Sequence, residues 1–226
     1  MFHCNRLRNC PEFLSFGQVQ GAPMPYKLKH VDIASGNSAS RDDAEVWSNL
    51  KGGDKKALSF FYTKYFNSLY NYGTRITKDR CLTEDSIQDL FMELWNQREG
   101  ISDVTHVKSY LFKSLRRKII YKLSILARLP LSEIDAFEIT LSHKSHYLSQ
   151  QINSDIRDKI IQLINTLTAK QKEAIFLIYY EELSYEEAAL IMELKVKTVY
   201  NLIHLAISRL RQNKEKLSLP LFNLLF

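Results

Sequence analysis

The chain is short of turn formers and of cysteine: it has 7 Gly, 5 Pro and 3 Cys in 226 residues. So few glycines and prolines disfavour a β-sandwich or barrel, which needs many tight connections. Cys4, Cys10 and Cys81 form an odd, sparse set, unlike the disulfide framework of a small secreted domain. The longest apolar run, Ala174 to Tyr180, falls far below the roughly 18–20 residues of a membrane span. No apolar segment with a small-residue cleavage site opens the chain, so no secretory signal is expected. A phosphate-cradling glycine loop, an HExxH pair and a nucleophile elbow are all missing, and catalysis is not expected. His3, Cys4 and Cys10 lack a second ligand pair, and His143 and His146 lack companions, so neither a metal nor a cofactor is expected. The remainder is ordinary globular composition, 45% hydrophobic and 25% charged, rich in the helix formers Leu, Lys and Glu. An all-α, cytoplasmic protein is the expectation.

The net charge of +6 conceals an uneven distribution. From Val107 to Arg128 the chain carries Lys108, Lys113, Arg116, Arg117, Lys118, Lys122 and Arg128 with no acid. Just before it, Asp79, Glu84, Asp85, Asp89, Glu93 and Glu99 outnumber Arg80 and Arg98. A basic stretch of this kind is the electrostatic footprint of a polyanion-binding surface, or else a solvated helix face.

Residues 1–41 combine three prolines with a Ser/Asn-rich end and show no sustained period, which predicts a poorly ordered extension. Met24 is an alternative start. A first helix with Val46, Trp47 and Leu50 inward ends at Gly52-Gly53. Asp54 then caps a long helix carrying Leu58, Phe61, Tyr62, Tyr65, Leu69 and Tyr72 at spacings of three and four. Thr83 is read as the cap of a third helix, with Ile87, Leu90, Phe91 and Leu94 inward. A fourth, roughly 105–127, turns Val107, Tyr110, Leu111, Leu115 and Ile119 inward. Periodicity fails over 128–154, a linker. It resumes at Asp155, and Thr168-x-x-Gln171 and Ser184-x-x-Glu187 each have capping-box spacing. The chain thus reads as two small helical domains, 42–127 and 155–212, joined by a linker and followed by an apolar tail over 213–226.

Two constellations carry function. Leu183 to Arg211 is a short helix, a tight turn at Leu194 and a longer helix with Val196, Val199, Ile203, Ala206 and Leu210 as its inner stripe. This is helix-turn-helix arithmetic, whose second helix enters the major groove. Its outer face offers Lys197, Thr198, Tyr200, Asn201 and His204 to base edges, while Lys195, Arg209 and Arg211 can neutralise phosphates. The second is TEDSIQDLFMELW at 83–95, where Asp85, Asp89 and Glu93 stand four apart with Gln88 beside them. Like charges four apart repel by a few tenths of a kcal/mol per pair, a cost that a basic partner would offset.

TEDSIQDLFMELW resembles the polymerase-binding helix of the sigma-70 family, in its extracytoplasmic-function group. Asp85, Gln88, Asp89, Phe91 and Trp95 match that helix's order of acid, glutamine, acid and aromatics. VKSYLFKSLRRKIIYKL at 107–123 resembles the family's −10 helix, and residues 167–211 resemble its −35-binding domain. The resemblance implies a transcription initiation factor that binds core RNA polymerase and promoter DNA, with an anti-sigma factor as regulatory partner. Asp85, Gln88, Asp89, Phe91 and Trp95 would face the polymerase, and Lys108, Lys113, Arg116 and Arg117 the −10 strand. The loop from Asn96 to His106 would accept a flipped base. The alternative is a stand-alone helix-turn-helix regulator with a sensor or dimerisation domain at 42–127. Two departures stand out. Leu205 and Ile207 occupy positions where the family tends to carry Arg, and Glu193 sits in a turn that often has Gly, at a cost of roughly 1–2 kcal/mol if left-handed.

Overall fold

The computed structural model describes residues 39–130, 136–139 and 154–216. Every regular element among them is helical. The expected N-terminal extension, the alternative start, the two histidines of the linker and the last ten residues of the apolar tail lie outside the described residues.

The first bundle is built as the periodicity predicts. Helix α1 (Ala39–Lys51) ends where Gly53 adopts a left-handed φ of 87°. Asp54 then caps α2 (Lys55–Thr77), its carboxylate accepting from the Lys56 N–H at 2.8 Å. Helix α3 (Arg80–Asn96) starts four residues earlier than expected, because Asp79 is the cap and accepts from Leu82 N–H. Thr83 is instead a buried residue of the first turn, its hydroxyl donating to the Asp79 carbonyl. It packs against Gly73 of α2, where an added Cβ would stand 2.6 Å from the Thr83 methyl and 3.0 Å from Ile119. Glycine inside a helix costs about 1 kcal/mol relative to alanine. Here it lets three helices meet. Helix α4 (Val107–Ala127) completes the bundle, with Val107, Leu111, Phe112, Leu115 and Ile119 buried.

The second bundle comprises α5 (Ser154–Asn165), α6 (Ala169–Ile175), α7 (Tyr185–Met192) and α8 (Val196–Lys216). Both predicted capping boxes form with reciprocal hydrogen bonds, at Thr168/Gln171 and Ser184/Glu187. A π-helical turn, Phe176–Tyr180, follows α6, and Glu182 and Glu193 take left-handed backbone. Leu163, Leu167, Ala206 and Leu210 form a small core between α5 and α8. Val199, Ile203, Ala188 and Ala189 belong to a larger core continuous with that of the first bundle.

The linker contributes to this shared core. Phe137 is buried, with its ring 5.9 Å from Tyr72 and 5.6 Å from Phe176. Glu138 N–H donates to the Arg75 carbonyl at 2.8 Å, and its carboxylate pairs with Lys78. A stretch without helical period therefore still supplies one packed aromatic. Cys81 is exposed. No described helix is long and apolar enough to cross a membrane.

Candidate functional site

The acidic ridge lies along α3 as the spacing requires. Asp85, Gln88 and Asp89 are half-exposed and Glu93 is exposed. Part of its charge is answered within the bundle: Lys122 of α4 donates to Asp89 at 2.6 Å, and Lys118 pairs with Glu93. Asp85 makes no ion pair among the described residues. Trp95 is half-buried beneath the Arg98 guanidinium, which sits 4.5 Å from its ring and donates to its carbonyl. Phe91 corrects the sequence reading. It is fully buried, edge-on to Tyr62 at 5.1 Å, so it serves the core and presents no contact surface.

After α3, Asn96, Gln97, residues 99–104 and Tyr110 line an open hollow of about 760 Å³. Tyr110 closes one side and meets Trp47 edge-on at 5.3 Å, so the residue expected to pack does both. The Trp47 indole N–H donates to the Ser102 carbonyl and fixes the loop to α1.

The basic helix α4 departs most from a free polyanion surface. Lys108 reaches Glu181 at 2.9 Å and also donates to its carbonyl. Arg116 donates from Nε to Glu173 at 2.8 Å, and Arg117 from Nε to Glu193 at 2.6 Å. Ser109 donates to Glu187 at 2.6 Å, and His106 lies 3.4 Å from the same carboxylate. Four glutamates of the second bundle thus line the helix that was read as nucleic-acid binding. Lys113 is half-exposed and without an ion pair among the described residues.

The centre of this contact is Glu173, which is buried and shared. It also accepts from the Tyr72 hydroxyl at 2.5 Å, whose ring stacks on Phe176. Burial alone would lower the Arg116 pKa, but the adjacent Glu173 carboxylate outweighs it and holds the guanidinium charged. Burial, then the Glu173 charge, raises the Tyr72 hydroxyl well above its ordinary value. Burial alone would raise Glu187, yet hydrogen bonds from Ser109 and Ser184, with His106 nearby, bring it below the ordinary 4.5. Sequence reasoning missed all four glutamates as partners of α4. Their only signal was that acids at 173, 181, 187 and 193 follow a helix with none.

On α8 the outcome is the reverse. Lys195, Lys197, Thr198, Tyr200, Asn201, His204, Arg209 and Arg211 are all exposed, and Val199, Ile203, Ala206 and Leu210 are buried behind them. Arg209 leans back, its Nη1 donating to Gln171 at 3.4 Å. Leu194 packs into the turn before α8, as expected.

Residues 61–128 match the family model for sigma-70 region 2, and residues 157–210 match that for sigma-70 region 4. Among curated proteins, the chain is similar to the ECF RNA polymerase sigma factor SigM of Bacillus subtilis. The two are 26% identical over 154 residues, which is 66% of this chain and 90% of SigM. It is also similar to ECF RNA polymerase sigma factor SigK of Mycolicibacterium vanbaalenii, at 24% identity over 60% of this chain and 70% of that protein. In fold it resembles the sigma factor RpoE of Bartonella quintana, solved in complex with the anti-sigma factor NepR. That likeness has a TM-score of 0.53 and 23% identity, covering 73% of this chain and 99% of RpoE. CnrH, solved with the cytosolic domain of CnrY, has the same TM-score at 17% identity, covering 77% of this chain and 97% of CnrH.

Proposed function

Because the chain belongs to the sigma-70 family of RNA polymerase sigma factors, in its extracytoplasmic-function group, we propose that it directs core RNA polymerase to promoters in the cytoplasm as a non-enzymatic initiation factor. The first domain, 42–127, binds core polymerase through Asp85, Gln88, Asp89 and Trp95. Its 96–106 loop and the residues Lys108, Lys113, Arg116 and Arg117 hold the melted −10 strand, with the hollow beside Tyr110 receiving a flipped base. Extruding that base costs a few kcal/mol, offset by the contacts it gains. The second domain, 155–212, reads the −35 element with Lys197, Thr198, Tyr200, Asn201 and His204. Lys195, Arg209 and Arg211 hold phosphates there. An anti-sigma factor is the regulatory partner that this reading adds.

The observation that supports this most is the coexistence, in one chain and in family order, of an outward acidic ridge on α3 and an exposed recognition face on α8. A stand-alone DNA-binding regulator would account for Asp89 and Glu93, which pair with Lys122 and Lys118, but has no use for the outward Asp85 and Gln88. The glutamates along α4 add a condition: the packing seen here is a resting form, and the second domain leaves α4 before the −10 strand is held.

The test is the charge reversal Asp85→Lys with Asp89→Lys. Both carboxylates lie outside the core and lysine is a good helix former, so the fold should persist. Like-charge juxtaposition across an interface costs several kcal/mol, and each 1.4 kcal/mol is tenfold in affinity. Co-purification with core polymerase should therefore fall by about 100-fold or more while circular dichroism stays unchanged. A folded double variant that still binds core with wild-type affinity would make the stand-alone regulator the better reading.

A further inference from the structure

The exposed face of α8 has an unusual chemistry for reading DNA. Between Lys195 and Ser208 it holds no arginine, and Arg209 is turned toward Gln171. Arginine or lysine against guanine is the commonest specific contact in the major groove, so on this stretch that contact is left to Lys195 and Lys197 at its start. The face instead exposes Asn201, whose amide suits adenine, together with two large apolar side chains, Tyr200 at 50% and Leu205 at 54% exposure.

Tyr200 is also held in place. Its ring lies parallel to that of Tyr185, the first residue of α7, with centroids 4.0 Å apart and planes 8° apart. Tyr185 is half-buried and packed against the core. Ser184, immediately before it, is fixed by the reciprocal capping box with Glu187. Stacked rings on two anchored helices leave Tyr200 one free face and an edge, directed outward beside Asn201. Thymine's C5-methyl is the apolar group that the major groove offers to such a surface.

We infer that the Tyr185–Tyr200 pair is a specificity element for −35 recognition, with Tyr200 contacting a thymine methyl and Tyr185 as the positioning residue that holds its ring. The inference rests on the −35 role given to α8 above and adds what that face selects. A·T pairs at the positions facing these two residues are the consequence, adenine read by Asn201 and an adjacent thymine by Tyr200.

The experiment uses the full chain with core polymerase. Holoenzyme first selects from a duplex library randomised at the −35 element, and A·T pairs should dominate the positions facing Asn201 and Tyr200. Each thymine of the selected duplex is then replaced by deoxyuridine, which removes the methyl and leaves base pairing intact. Loss of one buried methyl should weaken binding by about threefold to fivefold at one or two adjacent positions. Tyr200→Ala, at an exposed site, should erase that difference. Tyr185→Phe, which keeps the stack, should retain it, and Tyr185→Leu should reduce it. Wild-type binding indifferent to uracil at every −35 thymine, or an unchanged uracil pattern in Tyr200→Ala, overturns the inference while leaving the sigma-factor reading intact. Failure of the holoenzyme to select any duplex overturns both.

Discussion

The two helices assigned to DNA stand in opposite states. On α4, Lys108, Arg116 and Arg117 each meet a glutamate from the second bundle, at 2.5–2.9 Å. On α8, the side chains from Lys195 to His204 assigned to −35 reading point outward, with no ion pair among the described residues. Basic character in the sequence therefore does not by itself mean availability. Along α4 the carboxylates take up hydrogen-bond donors that a phosphate backbone would otherwise occupy, so the proposed strand binding there would compete with an internal anion. Duplex binding at α8 meets no such competitor. Under the proposed function, the two helices would therefore have different thresholds for DNA.

The largest expected effect comes from breaking the buried centre of the α4 contact. The Arg116 and Glu173 side chains are only 16% and 6% exposed, which separates this pair from the surface ones. Removing one partner of a buried pair typically costs about 3–5 kcal/mol, because the other charge is left uncompensated. Glu173→Gln should therefore lower unfolding stability by about 3 kcal/mol or more in a urea titration. The double variant Arg116→Met with Glu173→Leu removes both charges and should recover most of that loss. If Glu173→Gln leaves the urea midpoint unchanged, α4 is as free as α8 and the contrast disappears.

Acid should loosen the same contact from another side. Glu187 titrates below 4.5 in the folded chain, because its hydrogen bonds from Ser109 and Ser184, together with His106, outweigh the effect of burial. A carboxyl depressed on folding stabilises above its unfolded pKa, and that stability is lost as pH falls through the folded value. Wild-type stability should thus decline below about pH 4.5 more steeply than that of Glu187→Gln, as read from urea midpoints between pH 7 and pH 3. Parallel pH curves for the two proteins would show that this carboxylate does not contribute to the α4 contact.

Local structure was legible in the sequence, and long-range pairing was not. The Asp54 cap, both capping boxes and the inner stripe of α8 follow from spacings of three and four, which any helix imposes. The start of α3 was misplaced because both Asp79 and Thr83 are competent caps, and only packing against Gly73 shows that Thr83 is interior. Phe91 matched a motif and a core stripe at once, and burial decided for the core. Phe137 lay in a stretch with no period, where one aromatic carries no signal of the pocket awaiting it. The glutamates at 173, 181, 187 and 193 were invisible as partners because their contacts with α4 span 57 to 78 residues of sequence. Charge patterning within a helix says nothing about which distant element will face it.

The smallest effect concerns Glu193, where the left-handed turn before α8 meets the basic helix. Its φ of 56° and ψ of 42° place a non-glycine residue in a region that costs roughly 1–2 kcal/mol. Its carboxylate pairs with Arg117, but the side chains are 42% and 64% exposed, so the pair contributes at most about 1 kcal/mol. The strain is therefore not repaid in full by the ion pair. Glu193→Gly removes both, and it adds an unfolded-state entropy cost of about 0.5–1 kcal/mol. These contributions nearly cancel, so its stability should stay within about 1 kcal/mol of wild type. Glu193→Ala loses the pair yet keeps the strain, so it should be less stable than Glu193→Gly by up to about 1 kcal/mol. Denaturation of the two variants side by side isolates the backbone contribution, since neither retains the Arg117 contact. An alanine variant as stable as the glycine one would mean that the turn relaxes out of the left-handed region. The geometry delivering Glu193 to α4 would then no longer be fixed by the turn.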